Sequence, residues 1–128
     1  MVILDTNIII DHLRHRGNGI SFLQKLIQKH PKEVLCISIF TVQELYEGKS
    51  TKESEKEKDM LATISPLKIL PYTYDIAEKA GVIARDASRF LECADAAIAA
   101  TALVHHIPLA TLNTKDFTFI EGVELFEL

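Results

Sequence analysis

The chain has 128 residues, of which 48% are hydrophobic, and its formal net charge is −4. This length suits one domain of about 100–200 residues, and the apolar content is enough to fill one core. Because no apolar stretch reaches the ~18–20 residues of a membrane-spanning helix and no basic leader precedes an apolar segment, we expect a single domain over residues 1–128, located in the cytoplasm, with no membrane partner.

The negative net charge argues against a protein that binds nucleic acid through bulk positive charge, since phosphate groups are generally contacted by clustered Lys and Arg. The argument fails if the acids are concentrated around metal ions. Taking four metal-bound carboxylates out of the count would leave no net charge to repel a phosphate. Net charge alone therefore does not decide whether the protein binds nucleic acid.

Short apolar runs with β-branched residues predict five strands, and several runs are continuous, as in parallel strands that are buried on both faces. The segments between them have the spacing of amphipathic helices, and the sequence has no linker and no internal repeat. Alternation of strand and helix predicts an α/β fold, a three-layer α/β/α sandwich around a mostly parallel five-stranded sheet. The predicted strands are Val2–Asp5, Leu35–Phe40, Leu67–Leu70, Ile107–Thr111 and Val123–Phe126.

The two cysteines, Cys36 and Cys93, are far apart and belong to no pair with metal-ligand spacing. Cys36 also lies within an apolar run that predicts a buried strand. We expect reduced, structural thiols and no zinc site.

Four acids stand where predicted strands end or helices begin: Asp5, Glu44, Asp95 and Asp116. Each has a simple structural explanation when taken alone. Thr41 and Glu44 match the spacing of a capping box, and Asp95 and Asp116 are well placed for the positive ends of helix dipoles. Asp5 could cap the helix that contains Ile8–Leu13.

Taken together, the four acids favour a functional site. The carboxyl ends of parallel strands meet at one edge of the sheet, where a reversal of strand order opens a crevice. Four ionised carboxylates gathered there would repel one another unless a cation were present. Ligands that are all oxygen select hard ions, so Mg²⁺ or Mn²⁺ is expected, and a phosphate ester is the typical substrate of such a site.

The acids lie in four ordered motifs that resemble those of PIN domains, and the match covers nearly the whole chain. The motifs are Leu4-Asp5-Thr6-Asn7, Thr41-Val42-Gln43-Glu44-Leu45-Tyr46-Glu47-Gly48, the segment from Ala94 to Ala102, and Thr111-Leu112-Asn113-Thr114-Lys115-Asp116-Phe117.

This resemblance implies a ribonuclease that depends on Mg²⁺ or Mn²⁺. It also implies the toxin of a toxin–antitoxin pair of the VapC type, with RNA as substrate, a cognate antitoxin as partner and a homodimer as the assembly. Asp5, Glu44, Asp95 and Asp116 are the expected metal-binding and catalytic acids. Thr6, Asn7, Thr111 and Asn113 are the expected supporting polar residues, although Asn113 is equally well explained as a helix N-cap.

Two other hypotheses compete with this one. A catalytically silent PIN-like binding module would keep the fold without the reaction. A phosphatase of the haloacid-dehalogenase type would also place an Asp at the end of its first strand, but it needs a second acid two residues later, where this chain has Asn7.

Two further features bear on RNA binding. Arg14, Arg16, Arg85 and Arg89 are candidates for contacts with the RNA backbone, although a solvated surface explains them more simply. The Tyr and Phe residues are candidates for base stacking, but the spacing of most of them favours a place in the core. No Gly or Pro follows Gly81 until Pro108, so the chain must turn near Phe90–Ala94 without a helix breaker.

Overall fold

The structure is a computed structural model that describes residues 1–15 and 17–128. Arg16, one of the candidate RNA contacts, lies outside the described residues. Strands and helices alternate along the chain as predicted. They are β1 (Val2–Leu4), α1 (Thr6–His15), α2 (Phe22–Lys29), β2 (Leu35–Ser38), α3 (Ile39–Glu47), a 3-10 helix (Lys49–Lys52), α4 (Ser54–Ile64), β3 (Lys68–Leu70), α5 (Tyr74–Asp86), α6 (Cys93–His105), β4 (Leu109–Ala110) and a second 3-10 helix (Thr114–Asp116).

The four strands form one parallel sheet in the order β3-β2-β1-β4. Ile3 at its centre pairs with Cys36 on one side and with Leu109 on the other. Strand order reverses after β1, because β2 lies on one side of it and β4 on the other. The carboxyl ends of β1 and β4 therefore flank the point where a crevice is expected.

Helices cover both faces of the sheet, which confirms the predicted three-layer arrangement. Successive residues of a strand point to opposite faces. Ile3 and Cys36 pack in one core cluster with residues of α5 and α6, whereas Val2, Leu4 and Ile37 pack in a second cluster with residues of α1, α2, α3 and α4. Because both faces are covered, β1 is completely buried, which explains its unbroken apolar sequence.

The prediction of five strands was wrong by one. The segment predicted as a strand at Val123–Phe126 makes a single parallel bridge, between Leu125 and Leu109. The Leu109 N–H donates to the Glu124 carbonyl, and the Phe126 N–H donates to the Leu109 carbonyl, both at 2.8 Å. The pairing stops there because β4 itself is only two residues long.

Helix α3 begins two residues earlier than predicted. The Ser38 hydroxyl accepts a hydrogen bond from the Phe40 N–H at 3.0 Å, so Ser38 caps the helix and ends β2. The predicted strand Leu35–Phe40 was therefore too long, and the capping box proposed for Thr41 and Glu44 was wrong. Glu44 instead lies in the second turn of α3, where its side chain is available to other partners.

Helix α6 is alanine-rich and buried around most of its circumference, so it lies close against its neighbours. Thr101 fits this apolar setting because its hydroxyl donates to the Ala97 carbonyl of the same helix at 2.7 Å. The helix ends at His106, which adopts a left-handed conformation with φ 54°. Neither α6 nor any other helix in the described part of the chain is long and apolar enough to cross a membrane.

We expect Ala99→Leu to destabilise the protein by about 1–3 kcal/mol, because Ala99 is fully buried in α6 and three added carbons have no space to fill. The free energy of unfolding, measured by urea denaturation with circular dichroism, tests this. The matched control is Ala84→Leu on the exposed surface of α5, which should change that free energy by less than about 0.5 kcal/mol. Equal effects of the two substitutions would contradict close packing around α6.

Candidate active site

Asp5 lies directly after β1 at the carboxyl edge of the sheet and is 6% exposed. The Thr111 hydroxyl, directly after β4, donates to Asp5 Oδ2 at 2.7 Å. The backbone N–H groups of Thr6 and Asn7 also donate to the carboxylate. Burial is the largest influence on the pKa of Asp5 and raises it, while these donors act in the opposite direction.

Glu44 approaches the same edge from α3, and Thr6 at the start of α1 holds it. The Thr6 hydroxyl donates to Glu44 Oε1 at 2.6 Å and lies 2.9 Å from the Thr41 hydroxyl. Because the single Thr6 proton goes to the carboxylate, Thr41 is the donor in the second bond. Burial raises the pKa of Glu44, and the nearby Asp5 carboxylate adds to the increase.

Asp95 lies in the first turn of α6, as predicted, despite the absence of a helix breaker before it. No hydrogen-bond donor or ion-pair partner contacts its carboxylate among the residues that the structure describes. Burial, followed by repulsion from Asp5 and Asp116, raises its pKa from 3.8 to about 7. Asp95 is thus the least compensated acid of the group.

Asp116 ends the second 3-10 helix, and Asn113 holds its side chain. The Asn113 Nδ2 donates to Asp116 Oδ2 at 2.6 Å. Asn113 occupies the N-cap position of that short helix, but its side chain makes no capping hydrogen bond. Asn113 is therefore an N-cap residue by position only, and its side chain holds Asp116 instead of capping the helix.

Thr111 connects these pairs. Its hydroxyl accepts hydrogen bonds from the Asn113 N–H at 3.0 Å and from Asn7 Nδ2 at 3.3 Å, in addition to donating to Asp5. Asn7 Oδ1 in turn accepts from the Leu112 N–H at 3.3 Å. Three of the four polar residues predicted as supporting side chains, Asn7, Thr111 and Asn113, thus form one network behind Asp5 and Asp116. The Thr6 hydroxyl holds Glu44 separately, and the donors in both groups are neutral.

The four predicted acids line one open cavity of about 420 Å³. Sequence analysis missed a fifth acid in its wall, Glu92, which immediately precedes α6 and lies three residues before Asp95. It also did not place Arg89, Phe90 and Phe119 at the cavity. The spacing of Glu92 and Asp95, one helical turn apart at the start of a helix, was the only indication available in the sequence.

The chemistry of this cavity fits a hard divalent cation. Its charged groups are mostly carboxylates, and none of the four predicted acids forms an ion pair within residues 1–15 and 17–128. Burial and mutual repulsion raise the pKa values of Asp5, Glu44 and Asp95, and a cation would offset that repulsion. The side chains surround the cavity without closing on one point: in the described part of the chain, no three His, Cys, Asp or Glu side chains stand together as a complete set of metal ligands.

Comparison with known proteins agrees with the resemblance to PIN domains. The family model described as PIN domain matches residues 2–121. The chain is 32% identical to Ribonuclease VapC10 of Mycobacterium tuberculosis, over 97% of this chain and 91% of that protein. It is 33% identical to Toxin FitB of Neisseria gonorrhoeae, over 98% of this chain and 96% of that protein. Among solved structures, a toxin–antitoxin complex from Klebsiella pneumoniae contains a chain that is 30% identical, with a TM-score of 0.73 and complete coverage of both chains.

We expect the metal-free protein to lose stability as pH rises from about 4 to about 7, because Asp95 has a higher pKa in the folded chain than the ordinary 3.8. The folded state then holds the proton more tightly, so its advantage is complete below pH ~4 and is lost as pH rises through ~7. After allowance for solvent screening, the change is on the order of 2 kcal/mol. Urea denaturation in EDTA at several pH values tests this.

Asp95→Asn should flatten that pH dependence without abolishing it, since Asp5 and Glu44 also have raised pKa values. Glu78→Gln, the same carboxylate-to-amide change at an exposed position on α5, is the matched control and should leave the pH dependence as in the parent protein. Identical curves for Asp95→Asn and the parent protein would show that Asp95 does not carry the effect.

Proposed function

The chain belongs to the PIN-domain family, and from that premise we propose that it is an endoribonuclease and the toxin of a type II toxin–antitoxin pair. The observation that carries the proposal is the cavity at the carboxyl edge of the sheet, where four acids from separate parts of the sequence converge. The similar proteins support it by name, since one is a ribonuclease, one a toxin, and one part of a toxin–antitoxin complex. The similarity spans nearly the full length of each, which favours one PIN domain over residues 1–128.

The cofactor in this proposal is Mg²⁺ or Mn²⁺, held by Asp5, Glu44, Asp95 and Asp116 directly or through water. A bound ion of this kind lowers the pKa of water and stabilises negative charge on a phosphodiester. Oxygen ligands without His or Cys favour these two ions over zinc.

The chain's own residues orient the acids for this task. Each of three acids accepts a hydrogen bond on one carboxylate oxygen: Asp5 Oδ2 from Thr111, Glu44 Oε1 from Thr6, and Asp116 Oδ2 from Asn113. In the described part of the chain, Glu44 Oε2 and Asp116 Oδ1 have no hydrogen bond, so each carboxylate keeps one oxygen for a ligand. Hydrogen bonds from neutral donors fix the orientation of an acid without neutralising its charge, which is the usual role of groups behind metal ligands.

The same contacts bear on the competing phosphatase hypothesis. The position two residues after Asp5, where that chemistry needs an acid, is Asn7, and its side chain binds both Thr111 and the Leu112 N–H. Asn7 thus joins α1 to the segment after β4. Nothing in this arrangement favours a phosphatase.

The expected partners are an RNA substrate, a cognate antitoxin and a second copy of the chain. Uncompensated carboxylates at an open cavity would attract a basic side chain of an antitoxin as readily as a metal ion. Exposed apolar side chains near β3, among them Ile69 and Tyr72, favour a homodimer.

We expect the purified protein to cleave RNA with Mg²⁺ or Mn²⁺ and to lose this activity in EDTA. Asp5→Asn should lower the rate at least ~100-fold, because it removes a buried carboxylate at the centre of the site. A panel of structured and unstructured RNAs provides the substrates, and p-nitrophenyl phosphate tests the phosphatase alternative. Absence of cleavage by a folded, antitoxin-free protein with either metal would favour the catalytically silent binding module.

A second prediction tests the neutral donors. Thr111→Val removes the hydroxyl that holds Asp5 and keeps the shape of the side chain, so we expect cleavage to fall about 10–100-fold. Thr101→Val makes the same change at another buried threonine, whose hydroxyl bonds only within α6, and should leave cleavage within about twofold. Thr111→Ser should restore most of the activity, and a loss of activity common to all three variants would refute the role assigned to Thr111.

A further inference from the structure

Residues 87–92 join α5 to α6 and form one rim of the acidic cavity. Leu91 is 9% exposed and packs in the core with residues of α6, which fixes the segment to the body of the protein. The adjacent Phe90 is 87% exposed, although it is a large apolar side chain. The rim therefore places an aromatic ring in solvent next to the four acids.

Arg89, on the same rim, is held by the segment that carries Asp116. Its Nη2 donates to the Lys115 carbonyl, and its guanidinium lies 4.3 Å from the centre of the Phe119 ring. A guanidinium has five N–H groups, so most of its hydrogen-bonding capacity remains for a ligand. Of the described residues that line the cavity, Arg89 is the one cation, beside five carboxylates.

Sequence spacing placed most aromatic residues in the core. That holds for Phe117, which is 1% exposed, but not for Phe90 or for the three tyrosines, Tyr46, Tyr72 and Tyr74, which are all exposed. Tyr74, on α5, is 81% exposed. None of these tyrosines lines the cavity, whereas Phe90 does. Among these exposed rings, Phe90 combines a position at the acids with a neighbouring cation.

An exposed ring beside an Arg side chain is the combination that proteins use to hold single-stranded nucleic acid. Bases stack on aromatic faces, and guanidinium groups contact the phosphates between them. We propose that Arg89 and Phe90, here called the rim platform, bind the nucleotide next to the scissile phosphate, with Phe90 stacking on its base and Arg89 contacting its phosphate. This inference rests on the proposed function, because it assigns part of the substrate site of the same enzyme.

The surroundings of Phe90 favour RNA over a protein partner. Its sequence neighbours are the exposed Arg89 and the buried Leu91, and the exposed Glu92 follows. Protein-binding sites present several adjoining apolar side chains, whereas one ring among charged groups suits the stacking of one base. A base that stacks on Phe90 must be unpaired, so the rim platform selects single-stranded segments.

The chain contains no tryptophan, which allows a direct test. Phe90→Trp places a single fluorescent indole on the rim platform, and Tyr74→Trp places one at a similarly exposed position outside the cavity. Both are made in the Asp5→Asn background and titrated with a mixed-sequence, unstructured RNA oligonucleotide. We expect stacking to quench the indole at position 90, while the indole at position 74 is unchanged.

Binding measurements separate the two members of the rim platform. Phe90→Ala should weaken RNA binding about tenfold, and Phe90→Tyr should restore it, because both aromatic rings stack. Arg89→Gln should remove one phosphate contact, so that the slope of log Kd against log salt becomes shallower by about 0.7. In the parent protein, Phe90→Ala should raise KM and leave kcat nearly unchanged.

The results distinguish this inference from the proposed function. Cleavage by the parent protein without selective quenching at position 90 would overturn the rim platform and leave the nuclease intact. Selective quenching without cleavage under any metal would support the rim platform and count against the nuclease. A response of the position-90 indole to the antitoxin but not to RNA would also overturn the inference, since the ring would then serve a protein interface.

Discussion

The hydrogen bond from Thr111 to Asp5 joins the ends of the two strands between which the strand order reverses. Parallel strands deliver their carboxyl ends to one edge, and the reversal between β1 and β4 leaves that edge uncovered by a crossover helix. Asp5 is nearly buried there, so its charge needs donors close by. Thr111 meets this need and also accepts hydrogen bonds from the Asn7 side chain and the Asn113 N–H, so the same hydroxyl joins Asp5 to the segment that carries Asp116.

Acids gathered at one cavity destabilise the folded state, but they favour the binding of a cation. Burial and mutual repulsion oppose ionisation of Asp5, Glu44 and Asp95, and among the described residues no positive side chain pairs with them. Fixing the acids with hydroxyl and amide groups, rather than with Lys or Arg, keeps their charge available. The fold thus tolerates repulsion that a bound ion would relieve.

Much of this arrangement was predictable from the sequence, for physical reasons. Buried parallel strands must be continuously apolar, so β1 and β2 were visible in the sequence, and acids that follow strands must share an edge, so Asp5 and Asp116 could be grouped. Local competition was harder to foresee. Ser38, not Thr41, is the N-cap residue of α3. Because β4 is short, the segment Val123–Phe126 makes only one β-bridge to it. Phe90 and Glu92 lie in an irregular segment, where hydrophobic periodicity gives no information about exposure.

The burial of α6 and the irregularity of residues 87–92 divide the cavity into a fixed part and an adjustable one. One extra residue within α6 would rotate everything beyond it by about 100° and disrupt its close packing. The same insertion among the exposed residues 88–90, before the buried Leu91, would alter only the shape of the rim, because surface loops accept changes in length. Descendants of such a chain can therefore diversify the RNAs they select through a few loop residues while the acids stay in place.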